Sequence, residues 1–307
     1  MGNCAHTRSH GAYPGATTGR EKQADSSTGA VMGAEPWLPR IAWPHDCRYL
    51  AAKCESAGRI NLSRGAVKFA QVRLAAPAGR LHELADFYAD ELGIDVVMRG
   101  ADRLSSAIGE TTIEFVAGSG RPFYHVALLV PGNRFDAALE WAGARTELLP
   151  DPESGDVLFD FDNWAAYACY FRDPADNIVE LIAHRGIDET GAEGAFSPRE
   201  LVGLSELGLV GDPVVLARQL AEKLGLALWD GTVEESGRLA FVGDPARTFI
   251  LAPRGRGWLP TGRAAEPHLV AALIVGRKND EVELEDSRYR IKSIAEGSAE
   301  QPSDDGM

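Results

Sequence analysis

One order of elements, strand, helix and then three strands, can be read three times along this 307-residue chain. Such a unit cannot bury its apolar face alone, so repeated copies must pack on one another and the chain is expected to be an assembly of similar half-sheets. In the first copy VKFAQVRLAAP reads as a strand and GRLHELADFYADELGI as an amphipathic helix, with Leu81, Leu84, Ala85, Tyr88 and Leu92 along one side and Gly93 closing it. The stretches IDVVMR, RLSSAIG and TTIEFVAG follow as short strands. The second copy repeats the order as YHVALLVP, the helix NRFDAALEWAGAR, then DVLFDFD, AAYACYFRDP and IVELIAH. A third begins near Leu204 with SELGLV, continues through the helix DPVVLARQLAEKLGL, and ends in ALWDG, RLAFVGD and RTFILAP. HLVAALIVG and YRIKSI are then expected to form a last hairpin.

The fold class that follows is α+β, with paired βαβββ modules forming an open, cupped mixed β-sheet flanked by helices, and a third βαβββ-like module added. Copies one and two are expected to pair about a pseudo-twofold axis as a domain over 67–186. A Gly-rich acidic linker then covers 187–202, the third module 203–296, and a polar disordered tail 297–307. Residues 1–66 have no sustained period and read as a disordered extension, or as a leader upstream of a true start near Met32 or Val67. The opening MGNC resembles an acylation signal, but His6 stands where that pattern wants Ser or Thr.

A net charge of −14 disfavours nucleic acid and anionic membranes as partners. No apolar run is long enough to span a bilayer. Cys4, Cys47, Cys54 and Cys169 show no CxxC pairing, which points to a reducing, cytoplasmic setting.

The chemistry lies on the strands. In RPFYHVALLVP, His125 shares a face with Phe123, Ala127 and Leu129, and in IVELIAH, Glu180 shares one with Ile178 and Ile182. A carboxylate inside an apolar strand costs several kcal/mol, roughly, unless something neutralises it, and a cation would. Aligning the copies on their first strands puts Gln71, His125 and Glu206 in one place. Aligning their last strands does the same for Glu114, Glu180 and an apolar residue near Ile250. If copies one and two share a cavity, Gln71, Glu114, His125 and Glu180 converge there as three oxygens and one nitrogen, an open site for a divalent ion. Glu206, whose module lacks a closing Glu, reads as structural. Tyr124, Trp164, Tyr167, Tyr170 and Phe171 are candidates for aromatic walls or for plain core.

The βαβββ duplication, the FY…LG end of the first helix and the DPxxNxxEL strand resemble the vicinal oxygen chelate superfamily. That superfamily includes glyoxalase I, extradiol dioxygenases and bleomycin- and fosfomycin-resistance proteins. The resemblance covers residues 68–185 well and 203–276 weakly, and Asp176 departs from it, standing where the family usually has Gly. It implies a His or Gln on the first strand and a Glu on the last strand of each module, and Gln71, Glu114, His125 and Glu180 stand there. The set is similar to that of zinc-type glyoxalase I. It implies a metal-dependent lyase or isomerase using Zn, Ni, Mn or Fe, on a small molecule that chelates through neighbouring oxygens, with Glu180 or Glu114 moving the proton. An extradiol-type dioxygenase, normally with two His and one Glu, is the first alternative, and a metal-independent drug- or metabolite-binding protein the second. The odd third module either caps the first two or pairs with its equivalent in a second chain, which would make a homodimer.

Overall fold

A computed structural model of the chain describes residues 67–232 and 237–296, so the readings for 1–66 and for the tail from 297 lie outside the described residues. The first module comprises β1 (Lys68–Pro77), α1 (Leu81–Asp86), β2 (Val96–Met98), β3 (Arg103–Ile108) and β4 (Thr111–Gly118). Its helix widens after Asp86 into a π turn over Phe87–Glu91, which buries the adjacent Phe87 and Tyr88 together. The second module has β5 (His125–Leu129), α2 (Phe135–Gly143), β6 (Phe159–Phe161), β7 (Ala166–Arg172) and β8 (Ile178–His184). The third has β9 (Gly203–Gly211), α3 (Pro213–Leu224), β10 (Leu228–Gly231), β11 (Ala240–Asp244) and β12 (Arg247–Pro253). Helix α3 has clear limits: Asp212 accepts from the Val214 and Val215 amides at its start, and Gly225 takes the left-handed conformation at its end.

A short hairpin, β13 (Gly257–Trp258) and β14 (Arg263–Ala264), follows, and then β15 (Val270–Gly276), β16 (Asp280–Leu284) and β17 (Tyr289–Ala295). These last strands are not the expected hairpin of two. β15 and β17 run parallel, and β16 adds antiparallel outside β17. That is the order of a βαβββ module without its helix and second strand, which are replaced by the link Arg277–Asn279.

The modules pair differently from the sequence expectation. Copies one and two do not share a sheet, and 67–186 is not a paired unit. The first strand of copy one meets the truncated fourth copy, in a seven-stranded sheet of order β16-β17-β15-β1-β4-β3-β2. Copies two and three meet through β5 and β9 in an eight-stranded sheet of order β10-β11-β12-β9-β5-β8-β7-β6. Side-chain period assigns a strand's residues to faces but does not choose its neighbour, so both pairings satisfy the same pattern.

One core joins the two sheets. Val72 and Leu74 of β1, Val126 and Leu128 of β5, Leu207 and Leu209 of β9 and the buried sides of the helices belong to it. The alternate residues of each strand therefore face outward, into two cups on opposite sides of this core. The stretch 187–202, expected as a linker, is packed: Phe196 lies against Trp141, Arg134 donates to Glu200 and to the Gly194 carbonyl, and Ser197 with Glu200 forms a capping box. Among the described residues no helix is long and apolar enough to cross a membrane.

Candidate metal centre

The eight-stranded cup carries His125, Glu180 and Glu206. Register brings them together: in the sheet Ala127 lies beside Glu180 on one side and beside Glu206 on the other, and His125 precedes it on the same face. A bulge in β9, where the pairing steps from Leu204 to Glu206 against the consecutive Leu128 and Ala127, turns Glu206 to the cup while Leu204 stays in the core. Glu180 is set by the DPADN turn before β8. Asp173 accepts from the Ala175 and Asn177 amides, the Asn177 side chain and the Tyr88 hydroxyl, and Asn177 accepts from the Tyr124 amide. Burial pushes the Asp173 carboxyl up to about 6 against those donors. Asp176 takes the left-handed conformation, φ 64°, that Asp tolerates better than most residues.

Nε2 of His125 lies 3.1 Å from Oε2 of Glu180. The three residues are 4, 2 and 2% exposed. One ligand atom from each lies within 4.8 Å of the others. A point therefore exists no more than about 2.8 Å from all three, and small side-chain shifts would close that to the roughly 2.0–2.2 Å of metal–nitrogen and metal–oxygen bonds. Among the described residues Oε1 of Glu206 and Nδ1 of His125 have no hydrogen-bond partner. Burial pushes both carboxyls up to about 8, offset only by the Tyr170 hydroxyl at Glu180 and by His125 at Glu206, while burial lowers the imidazole. Among the described residues no arginine or lysine acts on either acid. Two carboxylates and an imidazole with free lone pairs and no basic partner fit a divalent cation.

The other two expected ligands are elsewhere. Gln71 and Glu114 lie on the outward face of the seven-stranded sheet, across the core from His125. There Arg73 pairs with Glu114, its Nε 2.8 Å and its Nη2 2.7 Å from Oε2. Comparing registers explains the difference. Arg73 lies beside Glu114 as Ala127 lies beside Glu180 and Gly208 beside Ile250, so a guanidinium occupies the place that alanine and glycine leave open. The equivalents of Glu206 and Ile250 in the truncated fourth module are Ala271 and Lys292. That cup meets its carboxylate with its own cation.

The alignment of Glu206 with His125 in the sequence was the signal for the third ligand. Without the order of module pairing it pointed to no partner. Ile250 stands where a fourth ligand would, as its neighbour Gly208 corresponds to Ala127.

Small residues such as Ala127, Ala168 and Ala252 floor the cup, and Phe159, Tyr170, Phe241 and Trp258 are among its walls. Of the aromatics expected to wall a pocket, Tyr170 and Trp164 lie here, whereas Tyr124 and Phe171 belong to the central core and Tyr167 packs against it. Trp258 had no signal in the sequence.

No family model matches the chain, and no curated protein does. Solved structures do. A protein of Bacillus subtilis provisionally named a dioxygenase is 16% identical, covers 75% of this chain and 86% of its own, and has a TM-score of 0.47. Glyoxalase I from Zea mays is 12% identical over 75% of this chain and 92% of its own, with a TM-score of 0.45. A glyoxalase/bleomycin resistance protein/dioxygenase from Nocardioides is 19% identical over 48% of this chain and 99% of its own, with a TM-score of 0.31. By its own repeated βαβββ modules, joined first strand to first strand into cupped sheets, this chain has the vicinal oxygen chelate fold.

Proposed function

We propose that the protein is a metal-dependent enzyme of lyase or isomerase type, acting on a small substrate that chelates through two neighbouring oxygens. The observation that carries this reading is the cluster of His125, Glu180 and Glu206, buried at the base of an apolar cup with no basic side chain among the described residues to neutralise it. Nε2 of His125 and one oxygen each of Glu180 and Glu206 would hold the ion. Bound there, a divalent cation supplies a Lewis acid that acidifies a C–H next to a coordinated oxygen. The chain supplies the rest. Oε1 of Glu206, without a hydrogen-bond partner, is free to accept and return a proton. The Tyr170 hydroxyl holds Glu180. The alanine floor and aromatic walls exclude water and favour a largely apolar substrate.

A second reading has its own support. Ile250 at the fourth ligand register leaves three protein ligands rather than four, as an extradiol-type dioxygenase would have, although with a glutamate in place of one histidine. Metal analysis of protein purified without chelators, on wild type and on Glu180→Ala, tests what both share: near-stoichiometric metal in the first and its loss in the second. A metal-free wild type would sink both and leave the ligand-binding alternative. Loss of a thiol–aldehyde adduct's absorbance supports the lyase reading, whereas oxygen uptake with catechols supports the dioxygenase.

A further inference from the structure

The hairpin of β13 and β14 joins the two sheets and places its indole at the centre of the cup. The Trp258 ring lies parallel to the His125 imidazole, 9° between planes and 5.0 Å between centroids. Its far edge rests on Gly208, where a Cβ would come within 2.9 Å of Cη2. Trp258 is 5% exposed, so in this conformation it fills the space beside the ligand cluster. Any substrate reaching that cluster has to share or take this place.

The hairpin is lightly held. Among the described residues its backbone hydrogen bonds run from the Gly255 amide to Ala265, from Ala265 to Arg256 and from Gly262 to Trp258 within it, and from Arg256 to Pro253 at the end of β12. Trp258, the buried Ala265 and Arg263 seat it on the cup; the Arg263 guanidinium lies 3.4 Å from the Phe123 ring centroid and donates to the Asp176 carbonyl. Trp258 and Arg263 are cross-strand partners, so they share a face and would leave together. Mostly internal bonding lets the unit move without breaking a ladder.

The geometry points to the hairpin as a cover whose indole holds the place of a flat, conjugated substrate, with Trp258 setting both the access and the shape preference of the cup. This rests on the reading of the cup as a substrate site. A planar ring entering beside His125 would regain the stacking that the indole gives up, whereas an aliphatic chain of the same oxygen pattern would not. While the indole is in place, apparent affinity is lowered by the fraction of time the cover is open.

The test uses the full chain with Zn²⁺, and two probes, 2,3-dihydroxynaphthalene and lactate. Binding of the naphthalenediol should speed hydrogen exchange at the Arg256 amide, whose bond to the Pro253 carbonyl of β12 breaks if the hairpin swings away, and lactate should not. Trp258→Ala should tighten the naphthalenediol by about tenfold or more, as expected if the open form is a tenth populated or less, and leave Zn²⁺ affinity within about threefold. Trp258→Phe should fall between, and decides the matter if the alanine variant does not fold. Weaker or unchanged diol binding in both variants, unchanged exchange, or no binding of the diol to any form overturns the proposal. Failure of Zn²⁺ to bind the wild type is separate and counts against the metal reading alone.

Discussion

Exchanging Glu206 for glutamine removes one charge from the cluster and little else, because the amide keeps the shape and one oxygen. The three ligand atoms allow an ion within about 2.8 Å of each, where one carboxylate and a divalent charge attract by about 12 kcal/mol at an effective dielectric of about 20. Most of that is spent on dehydrating the ion and the acid, and the amide oxygen keeps part of the remainder. A net loss of roughly 3–4 kcal/mol, or about 10²–10³ in dissociation constant, is the expectation. Isothermal titration with Zn²⁺ against a competing chelator would measure it. Glu114→Gln is the matched control: its carboxylate already has Arg73, so Zn²⁺ affinity should stay within about threefold while stability falls by about 1 kcal/mol, the pair being partly exposed. Equal loss of metal in the two variants, or full retention in Glu206→Gln, would refute the assignment of the site to copies two and three.

Ile250→Glu places a carboxylate at the vacant ligand register, so in chelator it should destabilise the fold by several kcal/mol, roughly, and with Zn²⁺ present regain most of that, as read by urea denaturation in both conditions. His184 is buried, and burial lowers its pKa to about 4 from 6.5 against a backbone hydrogen bond at Trp164 that acts the other way. The unfolded chain then binds the extra proton first, so stability is full above about pH 6.5 and falls by up to about 3 kcal/mol as pH drops to 4; His184→Phe should flatten that part of the profile. Arg247, itself 3% exposed, bonds Glu110 of copy one and Asp188 after copy two, and Arg247→Met should cost about 3–5 kcal/mol in thermal or urea unfolding by leaving Asp188 buried without its partner. A cost under about 1 kcal/mol would mean that water takes the guanidinium's place.

Much of the fold was legible from residues alone. The alternation in β5 and β8 put His125 and Glu180 on their faces, the stretch DPVVLARQLAEKLGL marked the third helix, and the alignment of copies put Gln71, His125 and Glu206 at one register and Glu114, Glu180 and an apolar residue near Ile250 at another. Such information is local, because a side chain's face depends on the dihedral period of its own strand. The composition of the site was not local. Whether β5 lies beside β1 or β9 decides whether His125 and Glu180 meet Gln71 and Glu114 or meet Glu206, and both arrangements bury the same alternate residues. The chain order also could not show that Arg73 would fold onto Glu114, or that Trp258, 133 positions beyond His125, would lie flat on the imidazole. Strand neighbours are chosen by the packing of the whole core, where every module competes for every edge, and only the assembled tertiary structure settles that competition.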